Sequence, residues 1–178
     1  DMGAYVNSGF SSDNGMYLMA GTHIQSDESA IDGKVDTKAF GNVDNLSNNA
    51  DVNLVGKGIT TSGKTFYIAG VIGRAVNISN CVNNGATTMV VDPCDIAIST
   101  LYTGGVAGYA DVKIENSTLN APYSLTTADN LASLRCAGVV GQVKTGTAPF
   151  NSVVNCNTTE KASITLNTKN TKANYTGG

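Results

Sequence analysis

The stretch Tyr102–Asn120, YTGGVAGYADVKIENSTLN, has a counterpart upstream, YIAGVIGRAVNISNCVNN from Tyr67. A fragmentary one lies downstream, RCAGVVGQV from Arg135 followed by VVNCNTTE from Val153. Aligning them on glycine gives Gly70-Val71-Ile72-Gly73, Gly105-Val106-Ala107-Gly108 and Gly138-Val139-Val140-Gly141, with Gly21 of Ala20-Gly21 as a degraded first copy. A second anchor follows each glycine motif, an apolar residue, any residue and then Asn: Asn45, Asn80, Asn116 and Asn155. From these asparagines to the next anchor glycine the distances are 25, 25, 22 and 23 residues, whereas from glycine to Asn they are 24, 10, 11 and 17. One half of the unit is therefore rigid, and insertions fall in one loop of the other half.

A β-rich period of this size, without helical spacing, predicts an all-β repeat fold in which each unit buries its face against the next. The 20 glycines and the abundance of Asn and Thr disfavour long helices. TFYIAGVIG, TTMVVD, YSLTTAD and ASITLN read as short strands. We expect a parallel β-helix or solenoid of about four irregular coils, with a β-propeller-like or β-sandwich fold as the alternative. The absence of Trp weakens the propeller. The chain reads as one repeat domain, 1–178: a degenerate copy at about 16–60, copies at about 64–100, 101–134 and 135–173, and the start of a further copy at 174–178.

In a solenoid, equivalent residues stack roughly 4.8 Å apart. Asn45, Asn80, Asn116 and Asn155 should then form a ladder at a sharp corner, because Asn tolerates the left-handed backbone there and its amide can pair with the next. A turn at the Asn points the following residue inward and predicts a buried row Leu46/Cys81/Ser117/Cys156. With the corner amides buried, Asn80→Ala should destabilise and Asn83→Ala should be near neutral. Around the paired glycines both faces are apolar, which predicts a bulge or a covering loop.

These copies resemble the GLUG repeats of bacterial surface proteins, whose motif is a glycine, two apolar residues and a glycine. The resemblance rests on Gly70 to Gly73, Gly105 to Gly108 and Gly138 to Gly141, each with its Asn corner, and covers roughly residues 18–178. Val71, Val106 and Val139 stand where the family tends to have Leu. The resemblance implies a secreted, cell-surface or adhesin-like context and supplies no catalytic residues.

The remaining constellations are weak. A net charge of −3, from 11 Lys+Arg against 14 Asp+Glu with no basic cluster, argues against nucleic acid or an anionic membrane as partner. Cys81, Cys94, Cys136 and Cys156 include no CxxC pair, and His23 is the sole histidine, so neither a zinc site nor a nucleophile–base pair is supported. Cys81 and Cys156, two coils and roughly 9.6 Å apart, are too distant to bond. Asp92, Asp95, Arg74 and Arg135 would serve a carbohydrate-active β-helix, but the arginines occupy different places in their copies. Tyr67, Tyr102 and Tyr175 recur three places before the anchor glycine, with Leu18 and Arg135 in the other copies. They form either a packing row or, if they face solvent, a sugar-stacking stripe.

The expected function is a non-enzymatic extracellular structural or adhesion module mediating display, assembly or attachment, with no catalytic, cofactor or metal residues. A carbohydrate-active β-helix (polysaccharide lyase or hydrolase) or a carbohydrate-binding module is the alternative. Expected partners are further repeats, a second copy, or a protein or glycan ligand. The loops Thr22–Phe40 and Gln142–Ser152 are the candidate contact surface.

Overall fold

The short apolar segments between the asparagines and the glycines each form a strand, and each strand lies beside its equivalent one repeat further on. The computed structural model describes residues 16–17, 40–57, 65–92, 98–127, 131–144, 152–169 and 174–177. The first coil holds β1 (Met16–Tyr17), β2 (Phe40–Asp44), β3 (Ser47–Asn48) and β4 (Val52–Lys57), and the second β5 (Thr65–Ala69), β6 (Ile72–Ser79), β7 (Val82–Asn83) and β8 (Thr87–Asp92). The third holds β9 (Ile98–Gly104), β10 (Ala107–Glu115), β11 (Thr118–Leu119) and β12 (Tyr123–Thr127). The fourth holds β13 (Leu131–Ala137), β14 (Val140–Val143), β15 (Val153–Val154), β16 (Asn157–Thr158) and β17 (Ile164–Thr168), and β18 (Asn174–Gly177) follows. They form four parallel sheets: β1-β5-β9-β13-β18 (sheet A), β2-β6-β10-β14 with β15 also on β10 (sheet B), β3-β7-β11-β16 (sheet C) and β4-β8-β12-β17 (sheet D). The fold is a parallel β-solenoid.

The turn from sheet B to sheet C falls on the four asparagines. Asn45, Asn80, Asn116 and Asn155 have φ of 57°, 52°, 49° and 51°, the positive-φ non-glycine residues among those described. This conformation crowds a Cβ against the following carbonyl, and Asn tolerates it better than most side chains. The next residue turns inward. Cys81 and Ser117 are fully buried, and Leu46 and Cys156 pack against the core. The thiols of Cys81 and Cys156 and the Ser117 hydroxyl each donate to the carbonyl two residues back, and Ser117 Oγ also accepts the Cys81 amide.

The side chains of this corner differ from the sequence expectation. All four asparagines are exposed. Asn155 Nδ2 donates to Asn116 Oδ1 at 3.3 Å, but Asn80 Nδ2 donates to Asp44 Oδ1 at 2.7 Å instead of to Asn45. Three side-chain donors, from Ser79, Asn80 and Asn45, converge on Asp44, and the hydrogen bonds from Ser79 and then Asn80 hold its carboxyl below the usual range.

The buried ladder is one turn further on, at Asn48 and Asn83, which are 1% and 0% exposed. Asn83 Oδ1 accepts from Asn48 Nδ2 (3.0 Å) and from the Gly85 amide (3.3 Å). Its Nδ2 donates to Thr87 Oγ1 (2.9 Å) and, across the interior, to the Gly105 carbonyl (2.8 Å). Outside the same corner a second ladder runs Asn49–Asn84–Asn120–Thr159 through bonds of 2.8, 2.9 and 2.6 Å.

The paired glycines form a corner too, between sheets A and B, rather than a bulge or covered strand. Val71, Ile72, Val106 and Ala107 are all buried there, because the chain bends between them. A Cβ at Gly70 would meet Asn83 Nδ2 at 2.2 Å and the Gly105 carbonyl at 2.4 Å, and one at Gly105 would meet the Gly138 carbonyl at 2.4 Å and Leu119 at 2.7 Å. Thus Gly70 and Gly105 make room for the sheet C side chains, Asn83 and Leu119, crossing toward them. Sheet B carries a one-residue bulge between Ala110 and Lys113. The core between sheets A and D contains a polar chain: Cys136 Sγ donates to the Tyr123 hydroxyl (3.5 Å), which lies 2.6 Å from Thr103 Oγ1, and Thr103 Oγ1 donates to Met89 Sδ (3.4 Å).

These contacts reverse the mutational contrast drawn from sequence. Asn83→Ala, which strands Asn48 Nδ2 and the Gly105 carbonyl, should lower stability by about 2–4 kcal/mol. Asn80→Gly, which keeps the left-handed corner and loses one exposed bond, should stay within about 0.5 kcal/mol of wild type. Urea unfolding followed by circular dichroism checks both. Equal losses would refute the assignment of Asn83 as the internal brace.

Candidate functional site

The glycine corner folds the position three before the anchor next to the position four after it. In β5 the inward side chains are Phe66 and Ile68, so Tyr67 between them points outward. Register then places Tyr17, Tyr67, Tyr102, Arg135 and Tyr175 in one column up sheet A. Tyr17, rather than Leu18, is the residue paired with Tyr67. On sheet B, Arg74, Tyr109 and Gln142 form the adjoining column. Arg74 and Arg135, unrelated along the chain, therefore share one outward surface.

The side chains of the two columns interlock. The Tyr67 and Tyr102 rings stack with centroids 5.1 Å apart and planes 7° from parallel, a spacing close to the coil repeat. Tyr109 meets both edge-on, at 5.5 Å and 5.0 Å. The Arg74 guanidinium lies 5.2 Å from the Tyr67 centroid and 5.4 Å from that of Tyr109. Its Nε and Nη2 bond Asp111 Oδ2 and Oδ1 at 3.0 Å and 2.8 Å, and Asp111 lies within the bulge of β10. Burial, and then the Asp111 carboxylate, push the Tyr109 hydroxyl up from its ordinary range. Each ring pair contributes about 0.5–1.5 kcal/mol beyond its buried area.

Column order decides what covers each ring. Tyr102 has Tyr67 on one side and the Arg135 guanidinium, 6.0 Å from its centroid, on the other. Its faces are occupied within the solenoid, as in a packing row. Tyr175 has Arg135 on one side at 4.3 Å and is 56% exposed.

Other sequence candidates do not assemble around this surface. Asp92 ends β8 on sheet D, paired in register with Lys57, away from the sheets that carry the arginines. Asp95, His23, Cys94 and Gly21 lie outside the described residues, as do most of Thr22–Phe40 and residues 145–151 of the Gln142–Ser152 loop. Among the described residues no three of His, Cys, Asp and Glu cluster as metal ligands. Cys81, Cys136 and Cys156 are free thiols. Comparison with family models, with curated proteins and with solved structures returned no match.

Burial sets the thiol chemistry. It pushes the Cys136 pKa up to about 11, despite the bond to Tyr123, and raises that of Cys81 as well. At pH 8, Cys81 and Cys136 should be protected from an aromatic disulfide reagent in the folded protein while Cys156 reacts, and urea should abolish the difference, as read by mass spectrometry of each labelled cysteine. Because the folded state holds the Cys136 proton beyond the ordinary thiol value of 9.0, its contribution is intact below pH 9 and is lost as pH rises toward 11. Stability should therefore decline across that window, and less steeply in Cys136→Ser.

Proposed function

We propose that this chain is a non-enzymatic structural and adhesion segment of a bacterial cell-surface or secreted protein of the GLUG-repeat kind, holding a contact surface out on a stiff rod. The observation that carries this reading is the unbroken lateral bracing of successive coils. Paired rings brace sheet A, Asn48 and Asn83 brace the interior, and Asn49, Asn84, Asn120 and Thr159 brace the outside. Such ladders stiffen a stack without creating a cleft, which suits a spacer or display module. The glycine and Asn corners that carry the GLUG resemblance support the surface context. Partners are further repeats, a second copy, or a protein or glycan ligand.

The second reading, a carbohydrate-binding module, is favoured by the outward placement of the tyrosine column on sheet A. A lyase or hydrolase gains less support. Arg74 is tied to Asp111, and neither arginine shares a sheet with Asp92.

A panel of acidic and neutral polysaccharides, incubated with the protein and calcium, separates the readings when retained protein and newly released sugar ends are both measured. We expect no released ends at any pH from 5 to 9, which covers about the range in which carboxylate and histidine acid–base groups work. Release that persists in the purified protein and disappears in Asp92→Asn would overturn the non-enzymatic reading.

A further inference from the structure

Tyr67 and Tyr102 are neighbours of a kind that permits a covalent reaction. They sit on β5 and β9, interior strands of sheet A, and are partners in register. Each is only half-buried and points outward, so each keeps part of its surface in solvent. Their rings are parallel to within 7°, with centroids 5.1 Å apart. Because both side chains leave parallel strands in register, like ring carbons stand over like across about one coil spacing of 4.8 Å.

The other tyrosines are placed differently. Tyr123 is fully buried, its hydroxyl 2.6 Å from Thr103 Oγ1. Tyr175 shares the column, but Arg135 stands between it and Tyr102 in register, which sets those two positions roughly 9.6 Å apart. Tyr109 meets Tyr67 and Tyr102 with its plane turned by 75° and 79°. In that edge-on geometry the edge of one ring faces the centre of another, and no carbon lies over its counterpart. Among the described side chains, Tyr67 and Tyr102 are the two phenols stacked in parallel.

We propose that Tyr67 and Tyr102 are the site of an oxidative cross-link, a dityrosine bond formed by a haem peroxidase with hydrogen peroxide, which ties the second coil to the third. Each phenol gives up one electron and its hydroxyl proton and becomes a phenoxyl radical, whose spin is shared with the ring carbons ortho to oxygen. One such carbon of Tyr67 joins one of Tyr102 in a new C–C bond, and the two ring protons at that bond move to the oxygens as both rings regain aromaticity. The two electrons and two protons removed reduce one hydrogen peroxide to two waters. Stacking makes the coupling intramolecular, so it does not wait for two chains to meet. The ladder already holds the two backbones side by side, and the rings close the remaining gap by turning about their side-chain bonds. The link goes beyond the attachment reading and does not depend on what the coils contact.

The test exposes the whole chain, at low concentration, to peroxidase with limiting hydrogen peroxide, then digests it and maps cross-linked peptides by mass spectrometry. The expected product is a peptide pair joined through Tyr67 and Tyr102, two hydrogen atoms lighter than its parts and showing dityrosine fluorescence. Its yield should not change when the protein is diluted about tenfold, as an intramolecular step requires. Tyr67→Phe and Tyr102→Phe keep a ring in the stack but form no phenoxyl radical, so each should abolish the product, whereas Tyr175→Phe should leave it unchanged. Cross-linking closes the loop from residue 67 to residue 102 and should raise the melting temperature by roughly 5–10 °C, with no rise in Tyr67→Phe treated alike. Dimers on a denaturing gel in place of the internal link, or coupling through Tyr17 or Tyr109 in place of the pair, would overturn the assignment. So would absence of the product in a mixture where free tyrosine couples, and a link that leaves the melting temperature unchanged would overturn its role as a tie between coils.

Discussion

The amide of Asn83 crossing the interior to the Gly105 carbonyl is the contact on which the shape of the coil depends. It joins the sheet C side of one coil to the glycine corner of the next, and it does so in a volume that excludes water. A buried amide with a missing partner is penalised by about 1–3 kcal/mol, so all four of its bonds must be met together. The glycine at position 70 follows from this, because any side chain there would occupy the space of the Asn83 amide. One coil further on, Leu119 replaces the amide opposite Gly105, and the same close approach is kept by apolar contact.

From that constraint the rest of the cross-section can be understood. The glycine corner must be tight, so the chain bends within two residues, and positions on either side of it become lateral neighbours. The tyrosine and arginine columns are the outer consequence of this bend, and the Asn83 brace is its inner consequence. Parallel register then repeats each feature at the coil spacing, which turns single contacts into stacks of rings and amides.

The architecture was legible in the sequence because its two demands on backbone shape leave residue-type signatures. Positive φ selects Asn45, Asn80, Asn116 and Asn155, and close approach selects the paired glycines. The inner brace was not legible. Asn83-Asn84-Gly85 reads as turn residues, and nothing in their spacing says that Asn83 points inward while Asn84 points out. A signal for the outer ladder was present, since Asn49, Asn84 and Asn120 each follow their corner asparagine by four residues. Arg74 and Arg135 looked scattered because adjacency across a corner depends on the bend and not on distance along the chain. The exposed state of the corner amides escaped for a related reason: backbone conformation is encoded locally, whereas the partner of a side chain, such as Asp44 for Asn80, depends on the neighbouring coil.

The hydrogen bonds of all four sheets point from one coil to the next, which has a mechanical consequence. Tension applied along the stack loads these bonds in series, so the weakest junction opens first and its neighbours remain intact. Each released coil then pays out the 35 to 39 residues that separate successive corner asparagines. The stack would lengthen by discrete steps, each of which limits the force transmitted along it.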